Sequence, residues 1–211
     1  MKIINNKHNI LKELIRIENR INLENNEEIN NTVKNILQDV KDKGDIALKE
    51  YTLKFDGFYP EPLGVTKKEI EEAWESTSKP LQKALKHAKD KIEKFHLQEI
   101  PQSFSIKGIY GEDVQRKWLP VQKAGLYIPG GRASYPSTVL MNVIPAQVAG
   151  VKEIIMVSPG NTEGKLNETV LAAAHICGVE KIFKVGGAQA IAALAFGTKS
   201  ISKVDVITGP G

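Results

Sequence analysis

The sequence has little of several features that mark particular classes of protein. It contains a single cysteine, Cys177, so an intrachain disulfide is excluded, which fits a reducing compartment. No apolar run approaches the roughly 20 residues that a bilayer-spanning helix needs. The N-terminal stretch MKIINNKHNILKELIRIENR carries too many charges for the apolar core of a secretory signal. We therefore expect a cytoplasmic protein that makes no use of a membrane.

An excess of charge of one sign is also missing. The chain has 29 Lys and Arg against 25 Asp and Glu, a net charge of +4. The lysines alternate with glutamates along helical patterns, which is typical of solvated helix faces. A nucleic-acid surface needs a clustered basic face interleaved with aromatic residues, and aromatic residues make up only 6% of this chain. We expect no nucleic-acid partner.

Helical periodicity is what the first part of the chain does contain. Apolar residues recur at helical spacing from Ile29 to Val40, and Thr66 and Glu69 have the spacing of a capping box. Pro80 suits the first turn of a further helix. Residues 103–119 instead alternate around a Tyr-Gly-Glu-Asp turn, which predicts a short β-hairpin. The N-terminal region is thus predicted to be mainly helical, with one hairpin.

From residue 124 onward, segments typical of strands and helices alternate. The predicted strands are 125–128, 153–157, 181–185 and 203–207, and the predicted helices are 137–149, 167–177 and 188–196. This alternation predicts right-handed βαβ units and a parallel sheet with flanking helices. Pro145 lies inside the first of these helices and predicts a kink or a restart there. The fold class that follows is α/β.

Glycines follow three of the predicted strands. The three turns are Ile128-Pro-Gly-Gly131, Val185-Gly-Gly-Ala-Gln189 and Thr208-Gly-Pro-Gly211. Ligands of parallel sheets bind beyond the carboxyl ends of the strands, and helix N-termini present free N–H groups to anions. A glycine at any one of these turns can equally serve only to permit a tight bend. The residues alone therefore leave a ligand crevice and simple turns as alternatives.

The usual motifs for nucleotides and metals are absent. No G-x-G-x-x-G follows the first predicted strand, the second ends in Val157-Ser158-Pro159 instead of an acidic residue, and no G-x-x-x-x-G-K-[ST] occurs. His175 and Cys177 lie about 200° apart around a helix, and His87 and His96 about 180° apart, so neither pair can chelate one ion. We predict no catalytic and no metal-binding residue within residues 1–211.

Several longer segments resemble the histidinol dehydrogenase family. They are GLYIPGGRASYPSTVLMNVIPAQVAGVKEIIMVSPG, KVGGAQAIAALAFGT and VDVITGPG in the second half, with LKFDGF at 53–58 as a shorter match. The resemblance implies an NAD-dependent, zinc-requiring dehydrogenase of histidine biosynthesis, which oxidises L-histidinol through L-histidinaldehyde to L-histidine. It also implies an intertwined homodimer in the full-length protein.

The same resemblance predicts the domains. Residues 124–211 are expected to form a Rossmann-like NAD-binding domain that is truncated at its C-terminal end. Residues 1–123, the helical segment with its hairpin, are expected to begin the first large domain. The predicted fold class becomes an α/β, Rossmann-like parallel sheet with flanking helices, preceded by a mainly helical N-terminal region with a short β-hairpin.

The resemblance also assigns residues to the NAD site. Tyr127, before PGG, and Gln189, of GGAQ, correspond to the family's NAD contacts, and Pro129 and Pro210 look like further wall residues. The next family contact is an asparagine directly after GPG, and the zinc ligands and a Glu-His acid/base pair lie beyond residue 211.

We accordingly expect a fragment of the enzyme, because a strand and turn end the sequence where a helix should follow. The fragment is expected to be inactive alone, because its residues offer no plausible metal cluster or general base. The alternatives are a stand-alone nucleotide- or anion-binding α/β module without catalysis, and a scaffold domain whose glycine loops are only turns.

Overall fold

The elements alternate as the sequence pattern predicts. A computed structural model of the chain describes residues 6–21, 27–130 and 134–210. Its helices are α1 (Lys7–Ile21), α2 (Glu27–Lys43), α3 (Asp45–Asp56), α4 (Lys67–Ser76), α5 (Lys79–His96), α6 (Pro136–Val148), α7 (Glu168–Ile176) and α8 (Gly187–Phe196). Its strands are β1 (Phe104–Lys107), β2 (Asp113–Arg116), β3 (Lys123–Tyr127), β4 (Glu153–Ser158), β5 (Lys181–Lys184) and β6 (Val206–Thr208). A 3₁₀ turn, Leu97–Glu99, follows α5.

Four of the strands form one parallel sheet in the order β5-β4-β3-β6. The chain runs outward from β3 to β4 and β5, and then crosses to the other side of β3 to form β6. This is the order of the first four strands of a Rossmann sheet, and the direction of winding changes between β3 and β6. The predicted α/β class with a Rossmann-like parallel sheet is confirmed.

Both faces of the sheet are covered, which explains why its strands read as nearly continuous apolar runs. On one face, Leu126 and Met156 pack with residues of α6 and α7. On the other face, Ile155 and Val157 pack with the alanine-rich helix α8. The strand side chains therefore contribute to two hydrophobic clusters, one on each side of the sheet.

The N-terminal helices complete these two layers. Helix α2 packs against α8, α4 against α7, and α5 against α6. Residues 63–65 run beside β5, where Lys184 N donates to Leu63 O at 2.9 Å and Val65 N donates to Ile182 O at 2.8 Å. Helices from residues 1–123 thus cover the sheet that residues 124–210 form, and the division into two domains at residue 123 stays a prediction.

Several local predictions are confirmed. The hairpin is the antiparallel pair β1–β2. Thr66 and Glu69 form a capping box at the start of α4, and Pro80 lies in the first turn of α5. The restart predicted as one alternative at Pro145 is wrong, because helix α6 continues through this residue, and the kink stays a prediction.

Other local predictions need correction. The predicted strand at 203–207 is shorter and later, at Val206–Thr208, because Val204 N donates to Leu194 O instead of pairing in the sheet. In α2 only Ile36 and Val40 of the apolar stripe are buried, whereas Ile29 is 53% exposed, because the part of the chain that the structure describes leaves the first turns of the helix uncovered. Helix α1, for which no prediction was made, presents exposed apolar side chains such as Leu11 and Leu14. Within the described residues, no helix has both the length and the apolarity to cross a membrane.

Candidate functional site at the carboxyl edge of the sheet

The loops that leave the four parallel strands lie at one edge of the sheet. Tyr127 is the last residue of β3 and Pro129 follows it, while Pro210 follows β6. Gln189 is in the first turn of α8, directly after the loop from β5. Because parallel strands end at a common edge, the structure brings the four residues predicted to contact NAD to that edge.

Tyr127 connects the loops from β5 and β6. Its hydroxyl oxygen accepts a hydrogen bond from the backbone N–H of Gly187 at 3.3 Å, across the end of β4. On its other side, Gly209 approaches so closely that a Cβ there would lie 2.6 Å from the Tyr127 carbonyl oxygen. The ring is half-buried, which leaves part of its surface for a ligand.

Gln189 has a buried amide with an unused acceptor. The residue is 1% exposed, and in the part of the chain that the structure describes its Oε1 atom has no hydrogen-bond partner. Gly187, at φ +67°, allows this placement, since a Cβ there would come within 2.5 Å of Gln189 Oε1. A buried acceptor without a partner costs about 1–3 kcal/mol, so its retention needs an explanation such as a ligand donor.

The N-terminus of α8 adds a positive electrostatic potential to the same edge. Its N-cap is Gly186, which offers no side-chain hydrogen bond, and its first turn contains no acidic residue. The free N–H groups and the helix dipole at such an end favour an anion. The first turn of α8 is therefore suited to a phosphate group close to Tyr127 and Gln189.

Two of the glycines at this edge have a steric explanation. A Cβ on Gly130 would lie 2.4 Å from Cγ of Pro159, and a Cβ on Gly186 would lie 2.6 Å from Cβ of Pro159. These glycines make room for the proline ring. Sequence reasoning considered Pro159 only as the place where an acidic residue was missing, although a Pro-Gly pair directly after a strand was a usable signal.

A polar pair lines the side of the edge nearest β6. Thr208 Oγ1 donates to Asn142 Oδ1 at 2.6 Å, and Asn142 Nδ2 donates to Thr138 O at 2.8 Å. Asn142 thereby ties the end of β6 to helix α6. Sequence reasoning missed Asn142, because its contact is between residues 66 positions apart.

The titratable groups considered as metal ligands lie elsewhere. His175 stacks on Trp74 with ring centroids 5.4 Å apart. Cys177 is buried, and burial raises the pKa of its thiol to about 11. In residues 6–21, 27–130 and 134–210, no group of three or more His, Cys, Asp or Glu side chains is placed to hold a metal ion.

One ion pair lies at the end of β5. Lys184 Nζ donates to Glu69 Oε1 at 2.6 Å, and Thr66 donates to the other carboxylate oxygen through its N–H and its hydroxyl, both at 2.8 Å. Burial by itself raises the pKa of Glu69, but the hydrogen bonds from Lys184 and Thr66 outweigh burial and hold the pKa below its ordinary value. This pair joins the first turn of α4 to the sheet.

Comparison with known proteins identifies close relatives. The family model "Histidinol dehydrogenase" matches residues 19–211. A histidinol dehydrogenase of Prochlorococcus marinus subsp. pastoris is 63% identical over 211 residues, which are 100% of this chain and 49% of that relative. One from Clostridium acetobutylicum is 50% identical over 186 residues, 88% of this chain and 43% of that relative. The crystal structure of histidinol dehydrogenase from Elizabethkingia anophelis superimposes with a TM-score of 0.83 at 40% identity, covering 88% of this chain and 43% of that one. The chain spans about half the length of the curated relatives it matches.

Proposed function

Because this chain belongs to the histidinol dehydrogenase family, we propose that the protein oxidises L-histidinol through L-histidinaldehyde to L-histidine. NAD+ is the proposed hydride acceptor and zinc the proposed metal. The residues proposed to contact NAD+ are Tyr127, Gln189, Pro129 and Pro210. The observation that carries the cofactor part is the buried, unpartnered Oε1 of Gln189 beside Tyr127 and the N-terminus of α8.

The chemistry of NAD+ fits these groups. The cofactor carries amide and hydroxyl donors, an anionic pyrophosphate and flat rings. Gln189 Oε1 can accept from a donor, the first turn of α8 can bind a phosphate, and the ring of Tyr127 offers a flat apolar surface. When bound, NAD+ supplies the hydride-accepting chemistry, while the residues of this chain bind and orient it and exclude water.

The proposed zinc site does not fit the described residues. No suitable cluster of His, Cys, Asp or Glu occurs in the three described ranges, and the lone Cys177 is buried. By likeness to the family, we propose that the zinc ligands and the acid/base pair lie beyond residue 211, and we assign no catalytic step to this chain. By the same proposal, the chain alone supports no oxidation.

The test is zinc-dependent oxidation by the protein at the full length of its relatives. NADH should form from NAD+ and L-histidinol, stop after removal of zinc by a chelator, and return when zinc is restored. The 211-residue chain, measured beside it, should form no NADH. NAD+ binding by the full-length protein without any NADH formation would instead favour a nucleotide-binding module without catalysis.

The assembly and location of the protein are further parts of the proposal. We propose a homodimer in the cytoplasm, by likeness to the family. Sedimentation of the full-length protein should give twice the mass of one chain. A monomer that retains full activity would contradict the proposed assembly.

A further inference from the structure

We propose that Pro159 is a positioning residue that sets the spacing between the β3 loop carrying Pro129 and the β5 loop carrying Gln189. Its ring lies between Gly130 of the first loop and Gly186 of the second. The part of this inference that concerns NAD+ rests on the proposed function. The packing part stands on the contacts alone.

A side chain at either glycine would collide with the same ring, but the nearest ring atom differs between the two positions. A Cβ on Gly130 would lie 2.4 Å from Pro159 Cγ, with Cδ and the carbonyl oxygen both at 3.2 Å. A Cβ on Gly186 would lie 2.6 Å from Pro159 Cβ, 2.9 Å from Cγ and 3.0 Å from Cδ. Real Cβ atoms essentially never come closer than 3.0 Å to such neighbours, so the ring fills the space at both glycines.

The backbone conformation does not by itself require these glycines. Gly186 has φ −125°, and Gly130 is not among the glycines with positive φ. Any L residue adopts such angles without strain. The proline ring is therefore the feature that excludes a side chain at these two positions.

The location of Pro159 explains why it can act on both loops. It follows Ser158, the last residue of β4, and β4 lies between β3 and β5 in the sheet. The ring fixes its own φ near −65°, so it cannot rotate away as a longer side chain would. The loops on either side rest on one rigid group that the central strand holds in place.

The consequence for the proposed site is a fixed spacing between its two parts. Tyr127 reaches across the end of β4 to the N–H of Gly187, at 3.3 Å. Loss of the ring would allow the loops from β3 and β5 to approach or separate. The distance from Tyr127 to Gln189 would then vary, and with it the fit to one cofactor.

The test is a set of single and double variants in the full-length protein. We expect Pro159→Ala to raise the KM for NAD+ about 10-fold with kcat nearly unchanged, since displacement of a binding group by about 1 Å can cost as much as 100-fold. Gly130→Ala should lower the melting temperature and raise the same KM. Gly64→Ala is the matched control, because its Cβ would meet nothing closer than 4.0 Å.

The double variants separate this geometry from general destabilisation. Alanine at 159 lacks Cγ and Cδ, so Gly130→Ala/Pro159→Ala should recover most of the melting temperature lost in Gly130→Ala. Alanine at 159 does keep Cβ, which would lie 2.6 Å from a Cβ at position 186. Gly186→Ala/Pro159→Ala should therefore not recover the melting temperature lost in Gly186→Ala. If the melting temperature recovered equally in both double variants, or in neither, the proposed packing of the two glycines against Pro159 would be wrong.

The kinetic result decides the positioning role. A Pro159→Ala protein with a lower melting temperature but the parent KM for NAD+ would show a purely structural proline and overturn the proposal. Failure of the proposed function would instead be seen in the unsubstituted full-length protein, which would then not bind NAD+. The two failures are therefore distinguishable.

Discussion

Replacement of Gln189 by leucine is expected to stabilise the free protein and weaken its binding of NAD+. Gln189 is 1% exposed, and its Oε1 has no partner among the described residues. Leucine has a similar volume and leaves no polar atom to satisfy. The substitution therefore removes the desolvation cost of the free state together with the proposed acceptor for the cofactor.

The expected change in the free energy of unfolding follows from the unpartnered Oε1 of Gln189. An unsatisfied buried amide oxygen costs about 1–3 kcal/mol, and we take about 1 kcal/mol as the net gain because the new side chain differs in shape. For a chain of about 200 residues, 1 kcal/mol corresponds to roughly 2–4 °C in melting temperature. The free Gln189→Leu protein should melt higher by about that amount.

The effect on binding has the opposite sign. Loss of a hydrogen bond to a desolvated ligand group costs about 1–3 kcal/mol, or about 5- to 150-fold in Kd. Isothermal titration with NAD+ measures the Kd, and thermal unfolding with and without NAD+ measures both effects in one assay. The rise in melting temperature caused by NAD+ should shrink in the variant.

A matched control is available in Gln82. It is also buried, but its Nε2 donates to Trp74 O at 2.8 Å and its Oε1 accepts from Lys79 Nζ at 3.2 Å. Gln82→Leu breaks satisfied bonds, so it should lower the melting temperature and leave the Kd for NAD+ unchanged. If Gln189→Leu behaved like Gln82→Leu, the assignment of Gln189 to the cofactor would be refuted.

Three further outcomes are expected. Tyr127→Phe should raise the KM for NAD+ by about 2- to 12-fold, because it removes one hydrogen bond worth about 0.5–1.5 kcal/mol, and the zinc content should stay unchanged. Loss of zinc at an unchanged KM would contradict the assignment of Tyr127 to the NAD site. The lowered pKa of Glu69 stabilises the fold above the carboxyl's unfolded pKa of about 4.3, and this stability is lost as pH falls through the folded pKa. Glu69→Gln should therefore flatten the fall in melting temperature between about pH 5 and 3, and a parent-like slope would count against the Lys184 pair. Burial and a pKa of about 11 should keep Cys177 unlabelled by iodoacetamide at about pH 8 until guanidinium unfolds the chain; labelling at the unfolded rate in the native protein would disprove this.

The cofactor edge illustrates how far sequence reasoning reached. The positions of Tyr127 and Gln189 at strand and helix ends predicted a shared edge, because the four strands predicted from residue 124 onward were all expected to be parallel. Their roles toward NAD+ stay predictions that rest on the family resemblance. The sequence left open whether the glycines after the strands serve a ligand or only a tight turn. In the structure, Gly130 and Gly186 make room for the ring of Pro159, whereas Gly187 makes room for the side-chain amide of Gln189.

What the sequence by itself determined is the set of local and periodic features. The capping box at Thr66, the parallel strands and the apolar α8 all follow from spacing along the chain and from the burial that such spacing demands. The capping box and the strand and helix patterns depend on neighbours within a few residues, and the parallel direction of the strands follows from their alternation with helices.

Only the tertiary structure decided which distant side chains meet. The ring of Pro159 between two loops, the bond from Thr208 to Asn142 and the pair of Lys184 with Glu69 join residues far apart in the chain. Exposure of Ile29 on an apolar stripe has the same origin, since burial depends on what covers a helix and not on its own pattern. Such contacts arise from the packing of whole layers, in which the order of strands sets the neighbours, and no local pattern specifies that order.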